Sequence, residues 1–201
     1  MRRKKTSPRA RVSSAGACSW PKSDPLMVRY HDKEWGRPVR NDRKIFEFLV
    51  LESAQAGLSW LTILRKREGY RRAFANFDPK KIAKFGKRDV ARLIKDSSIV
   101  RNRLKIEATI NNAQKFLEVQ KEFGTFSKYM WGFVRGKPID GRRKNLKDLP
   151  AVTKESEVFA KDLKRRGFKF LGPTIIYAHM QAVGMANDHI LSCFRHSECL
   201  Q

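Results

Sequence analysis

The sequence predicts an all-α protein. Three observations carry that expectation. The body of the chain lacks runs of alternating Val, Ile and Thr, so strands are not expected. Apolar residues recur instead at three- and four-residue spacing. Residues that start and stop helices flank those stretches. Residues 43–56 come first, with a thick apolar stripe of Ile45, Phe46, Phe48, Leu49, Val50 and Leu51. Asp78-Pro79 then reads as an N-cap followed by proline at the first helical position. Residues 88–96 and 101–122 follow, the second with Ile106, Ile110, Ala113 and Leu117 at helical spacing and Gly124 as its stop. Residues 154–166 and 173–184 complete the set. Between them lies Gly167-Phe168-Lys169-Phe170-Leu171-Gly172, a glycine-bounded turn with Pro173 at the next helix start.

A chain of 201 residues is long enough for one sizeable core, and 41% apolar residues supply it. Residues 1–16 are rich in Lys, Arg, Ser and Pro, a composition that buries no core. They read as a disordered basic tail, 17–196 as the folded domain and 197–201 as a C-terminal tail. The net charge is +24, of which Arg2, Arg3, Lys4, Lys5, Arg9 and Arg11 contribute +6. The remaining +18 belongs to the body and points to a polyanionic partner, nucleic acid before a membrane surface. No stretch is apolar enough to span a bilayer, and the basic N-terminus has no apolar secretory segment. Three cysteines in such a chain suit a reducing cytoplasm, with metal or free thiols in place of disulfides. Cys199, in the C-terminal tail, is expected to be a free thiol. Nothing calls for an obligate partner, so a monomer is expected.

Four residues have metal-ligand chemistry. His189 and Cys193 are four apart, so on a helix they point the same way. Cys18 and His31 bracket a short stretch near the start. Together they offer a closed Cys2His2 set, which would be structural and would join the two ends of the domain. The spacing equally allows a buried cysteine, a surface histidine and a chance His-x3-Cys. The turn at 167–172 presents backbone N–H groups at a helix start, as a DNA phosphate requires, with Lys164-Arg165-Arg166 as countercharge. An ordinary helix connection with a C-cap glycine reads the same way. Glu52 follows the apolar run 45–51 and lies beside its buried stripe, where a carboxylate is desolvated. It is either a functional acid or a helix-end partner for an arginine. Tyr30, Trp35 and Trp60 are stacking planes for a base, or core.

Tyr30-His31-Asp32-Lys33-Glu34-Trp35-Gly36 and Leu51-Glu52-Ser53-Ala54-Gln55-Ala56-Gly57-Leu58-Ser59-Trp60 closely resemble the signature segments of DNA-3-methyladenine glycosylase I. So do Lys66-Arg67-Glu68, Arg166-Gly167-Phe168-Lys169-Phe170 and Asn187-Asp188-His189. The resemblance runs from about Cys18 to Cys193. It implies a helix–hairpin–helix DNA glycosylase fold and one structural Zn2+ on Cys18, His31, His189 and Cys193. It implies that the partner is double-stranded DNA carrying alkylated bases, and that 3-methyladenine is released as free base. Glu52 is then the catalytic and base-recognition residue. Trp60 stacks on the flipped base, where a cation–π term favours the alkylated form. Tyr30 and Met27 line the pocket, and Leu58 beside Gly57 approaches the gap left by the extruded nucleotide. Lys169 and Gly172 of the hairpin meet the DNA backbone. An N3-alkylated adenine already carries a positive charge, so the leaving group needs no protonation. The resemblance implies water as the nucleophile and no lyase step through Lys169.

The chain departs from the family pattern in two places. Met27 stands where a Tyr is common and Ala178 where a Ser is common, so two hydroxyls are lost near the pocket. The position that carries a cation-stabilising Asp in many superfamily members falls on Asn187, with Asp188 next to it. The competing function is a non-catalytic DNA-binding protein that recognises damaged or distorted sites. A zinc deaminase fits less well, because it needs an open metal position and a Pro-Cys-x-x-Cys pair.

Overall fold

The structure is a computed structural model and describes residues 18–200. The expected basic tail, 1–16, lies outside the described residues. Ten α-helices account for most of the described chain. In order they are α1 (Pro25–Lys33), α2 (Asp42–Gln55), α3 (Trp60–Ala73), α4 (Pro79–Ile82) and α5 (Lys87–Leu93). After them come α6 (Arg103–Phe123), α7 (Phe126–Gly132), α8 (Lys154–Arg165), α9 (Pro173–Ala182) and α10 (Phe194–Glu198). The all-helical expectation is right for the core.

Local chemistry explains the starts. Asp24, Asn41, Ser59, Asp78, Asn102, Thr125 and Thr153 each cap a helix by accepting from a backbone N–H of its first turn. Pro25, Pro79 and Pro173 occupy first-turn positions where no intrahelical donor is lost.

Helix α2 is the central element. Every residue from Ile45 to Ala54 is buried. It packs against α3, α6, α7 and α9, which enclose its middle from Ile45 to Ala54. Phe46 meets Phe116 of α6 edge-on at 5.0 Å, and Phe116 stacks on Phe126 of α7 at 4.0 Å.

Two short strands depart from the helix-only expectation. Residues Ile139–Asp140 (β1) pair in parallel with Ala186–Asn187 (β2). Ile139 N–H donates to Met185 at 2.8 Å, and Gly141 N–H donates to Asn187 at 3.0 Å. Two residues leave no alternating pattern in a sequence, and this pairing has none. It fastens the 133–150 loop to the segment after α9. Gly141 has to be glycine, because a Cβ there would collide with Asp188 Oδ1.

The C-terminal residues are not a free tail. Cys199 is buried, and Arg195 of α10 is buried beside it. Cys199 Sγ lies 4.0 Å from the Trp35 carbonyl. It is a free thiol, as expected, but an enclosed one. No helix among the described residues is long and apolar enough to cross a membrane.

Candidate active site

The end of α2, the start of α3, α1 and α9 converge on one cavity of about 230 Å³. Glu52 sits in its wall, together with Met27, Tyr30, Trp35 and Trp60. Trp20, Gln55, Leu149, Ala178 and Gln181 complete the lining. A second cavity of about 220 Å³ shares Glu52, Gln55 and Ala178 and continues to Gly57, Leu58, Thr174 and Ile175. Glu52 therefore faces the junction of two spaces.

Glu52 is 5% exposed, and no described residue hydrogen-bonds its carboxyl group. Burial alone pushes its pKa up to about 8. The helix-end salt bridge allowed by the sequence is absent among the described residues. Glu47, five residues earlier on α2, is the carboxylate that takes the arginines. It accepts from Arg67 at 2.7 Å and Arg71 at 2.9 Å. Burial raises the Tyr30 hydroxyl well above its usual range, and the Glu52 charge adds to that. Trp60 caps the cavity with its ring tilted against Tyr30 at 5.1 Å.

The turn between α2 and α3 is held from behind. Lys105 Nζ donates to the carbonyls of Ala54 at 2.9 Å and Ala56 at 2.6 Å. It satisfies the open carbonyl end of α2 and fixes the loop that follows. That loop carries Gly57 and Leu58, and Leu58 is 39% exposed.

The 167–172 turn leads directly into α9, with Gly172 as its N-cap. Asn112 of α6 clasps the turn with both amide atoms. Its Oδ1 accepts from Lys169 N–H at 2.8 Å, and its Nδ2 donates to the Lys169 carbonyl at 2.8 Å. The side chain of Lys169 and the backbone of Gly172 are left exposed, and Lys169 lines neither cavity. The expected countercharge is smaller than the Lys164-Arg165-Arg166 run suggests. Arg166 is tied to Asp162 and Glu122, each at 2.7 Å, and Arg165 also pairs with Asp162.

Cys18, His31, His189 and Cys193 come together, all buried, with their ligand atoms within 4.8 Å of one another. Cys193 Sγ lies 3.5 Å from both His31 Nε2 and His189 Nδ1, and Cys18 Sγ lies 3.7 Å from His189 Nδ1. Bonds of about 2.0–2.3 Å to one tetrahedral ion place neighbouring ligand atoms about 3.3–3.8 Å apart. Three of the ligand pairs have that spacing, and the four residues could hold such an ion. The remaining ring nitrogens are anchored as ligating histidines require: His31 Nδ1 to Asp32 at 2.7 Å, His189 Nε2 to the Trp35 carbonyl at 3.0 Å. The expected helical spacing of His189 and Cys193 is not what unites them. Cys193 is the N-cap of α10, and a turn closed by Cys193 N–H to Ile190 brings it back towards His189.

Asn187 lines neither cavity. Its amide donates to the His196 carbonyl at 2.8 Å and accepts from His189 N–H at 3.3 Å, so it shapes the Cys/His cluster. Asp188 is buried and receives Arg143 Nε at 2.9 Å, the Tyr177 hydroxyl, and Gln181 Nε2 at 2.8 Å. Gln181 is a wall residue that sequence reasoning passed over. Its signal was its place on α9, three residues after Ala178. Trp20, Gln55 and Leu149 are likewise new, and Leu149 comes from a loop with no periodic pattern.

The model for methyladenine glycosylases matches residues 20–196, which contain every residue of the cavity. The chain belongs to the methyladenine glycosylase family. It is 46% identical over 176 residues to DNA-3-methyladenine glycosylase 1 of Escherichia coli K12, covering 88% of this chain and 94% of that one. It is 44% identical to DNA-3-methyladenine glycosylase of Haemophilus influenzae, covering 88% and 95%. A crystal structure of 3-methyladenine DNA glycosylase I superimposes with a TM-score of 0.87 at 47% identity, over 90% of this chain and 99% of that one. A variant of such an enzyme in complex with 3-methyladenine gives 0.88 at 39% identity, over 90% and 97%. The expected fold is therefore that of the methyladenine glycosylases.

Proposed function

We propose that this methyladenine glycosylase family member is a monofunctional DNA repair enzyme that excises 3-methyladenine from double-stranded DNA. One observation carries the reading. A buried carboxyl group with no partner among the described residues stands in an aromatic cavity of base-like size. Such a group suits a ligand that brings positive charge and hydrogen-bond donors.

The reaction follows from the substrate's chemistry. The alkylated nucleotide is extruded, with Leu58 on its rigid loop entering the gap and Trp60 covering the base. The bond between C1′ and the base nitrogen breaks, and its electron pair neutralises the base. Water adds to C1′ and one proton is lost, leaving an abasic site. At neutral pH the empty cavity holds Glu52 as a neutral acid. A cationic base beside it draws the pKa down, so Glu52 ionises as the lesion enters. The carboxylate then accepts from the base edge and stabilises the developing sugar cation. Lys169 stands outside both cavities, which supports water as nucleophile over an amine. A zinc ion on Cys18, His31, His189 and Cys193 would be four-coordinate and closed, and would hold the two ends of the domain together.

A non-catalytic binder of distorted DNA has no use for an enclosed, unpartnered acid. The deciding experiment is release of free base from methylated DNA by wild type beside Glu52→Gln. Wild type releases 3-methyladenine and Glu52→Gln loses at least about tenfold in rate, as loss of a hydrogen bond to a charged group requires. No release by wild type rejects the enzyme reading.

A further inference from the structure

Gln181 lies in the wall of the base cavity with its amide turned by a buried carboxylate. Gln181 meets Asp188 through its NH2 group, which donates to Oδ2. The 2.8 Å contact of Nε2 with Asp188 records that orientation. Asp188 is fixed in turn by Arg143 Nε at 2.9 Å and by the Tyr177 hydroxyl. The β1–β2 pairing sets Gly141 against it, with no room for a side chain. Gln181 is also fixed along the chain, since its carbonyl accepts from Gly36 N–H at 3.0 Å. Its side-chain carbonyl, Oε1, has no donor among the described residues and is not sealed from solvent. Gln181 and Glu52 line the same cavity, and with Nε2 held by Asp188 the end of the Gln181 amide left free is its carbonyl.

We infer that Gln181, oriented by Asp188, is a specificity residue that selects 6-amino over 6-oxo purines. This rests on the base-excision reading above. An exocyclic amine has two hydrogens to offer the two acceptors. A 6-oxo group turns a lone pair towards Gln181 Oε1, and neither group can donate. Once the base fills the cavity and excludes water, an acceptor facing another acceptor is left unsatisfied, which is the costly outcome. Glu52 alone does not give this discrimination, because in its neutral form it can donate to an oxo group. Asp188 does not line the cavity, so it acts as a positioning residue.

The test is binding of free 3-methyladenine and 3-methylhypoxanthine, read by tryptophan fluorescence, beside excision of 3-methyladenine from DNA. Wild type prefers the 6-amino base. Gln181→Leu removes the acceptor and lowers that preference by about tenfold, with the folded circular dichroism spectrum retained. Asp188→Asn is the sharper variant. An asparagine there can donate to Gln181 Oε1, which turns the amide round and points NH2 into the cavity. Its preference shifts towards the 6-oxo base, an outcome that simple loss of structure does not produce. An unchanged preference in folded Gln181→Leu overturns this inference alone. A wild type that neither binds nor releases 3-methyladenine overturns the parent reading and this one together.

Discussion

Glu52 is an acid whose environment decides its charge. Its pKa rises from 4.5 to about 8 because burial disfavours the ionised form. Between those values the folded protein holds a proton that the unfolded chain has released. Stability therefore falls as pH rises through that window, by up to about 1.4 kcal/mol per pH unit. Above about pH 8 the full penalty is present, and below about pH 4.5 there is none. Glu52→Gln keeps the shape and cannot ionise, so its stability should fall less over the same range. Urea midpoints of both proteins at about pH 5, about pH 6.5 and about pH 8 measure the difference. Parallel curves would mean that Glu52 is solvated. The position of Glu52 beside an apolar stripe was legible in the sequence. Its lack of a partner was not, because Glu47, five residues earlier, takes Arg67 and Arg71, and only the fold shows which carboxylate they reach. Gln181 was illegible for the same reason: its orientation depends on a carboxylate seven residues later, beyond the end of its own helix.

Among the elements, the hairpin shows how a polar side chain replaces secondary structure. Asn112 is buried and supplies both hydrogen bonds of Lys169's backbone. Asn112→Ala leaves one donor and one acceptor unpaired and should cost about 1–3 kcal/mol. DNA affinity should fall with it, because Lys169 and Gly172 lose their fixed presentation. Chemical denaturation and fluorescence anisotropy on undamaged duplex DNA check both effects. Undiminished affinity would mean that the hairpin keeps its shape without the clasp. Long helices with strong stripes were read correctly, as at 43–56 and 101–122, against α2 and α6. Helices α1, α3 and α7 were passed over, although Asp24-Pro25, Ser59 and Thr125 carry the same capping chemistry as Asp78-Pro79. Helices α1 and α7 are short, at nine and seven residues, and α3 carries Arg65-Lys66-Arg67-Glu68 and Arg71-Arg72 among its apolar residues, so capping residues alone did not outweigh that. The β1–β2 pairing is set by tertiary contact and leaves no local signal.

Over the whole molecule, distant segments close on each other around one cluster. Cys18 and His31 meet His189 and Cys193 through ligand geometry that fits a single zinc ion. The protein is expected to carry about one zinc per chain. Cys193→Ser should lose the metal and at least about 3 kcal/mol of stability, a fraction of what structural zinc supplies to small domains. Elemental analysis with parallel urea unfolding tests both, and zinc-free protein purified without chelator would reject the site. The residue types of this cluster stood out in the sequence, whereas their union depends on the turn before α10. The cavity is assembled across a similar span, from Trp20 to Gln181. This has a consequence for synthesis. A growing chain already carries Glu52 and Trp60 when α9 has yet to be made, so it has the acid and the stacking ring but no enclosed space. Without Ala178 and Gln181 the space around Glu52 is open on the α9 side, although Tyr30, Trp35 and Trp60 are already made. Damage recognition therefore switches on late, when Ala178 and Gln181 have left the ribosome and folded over α2.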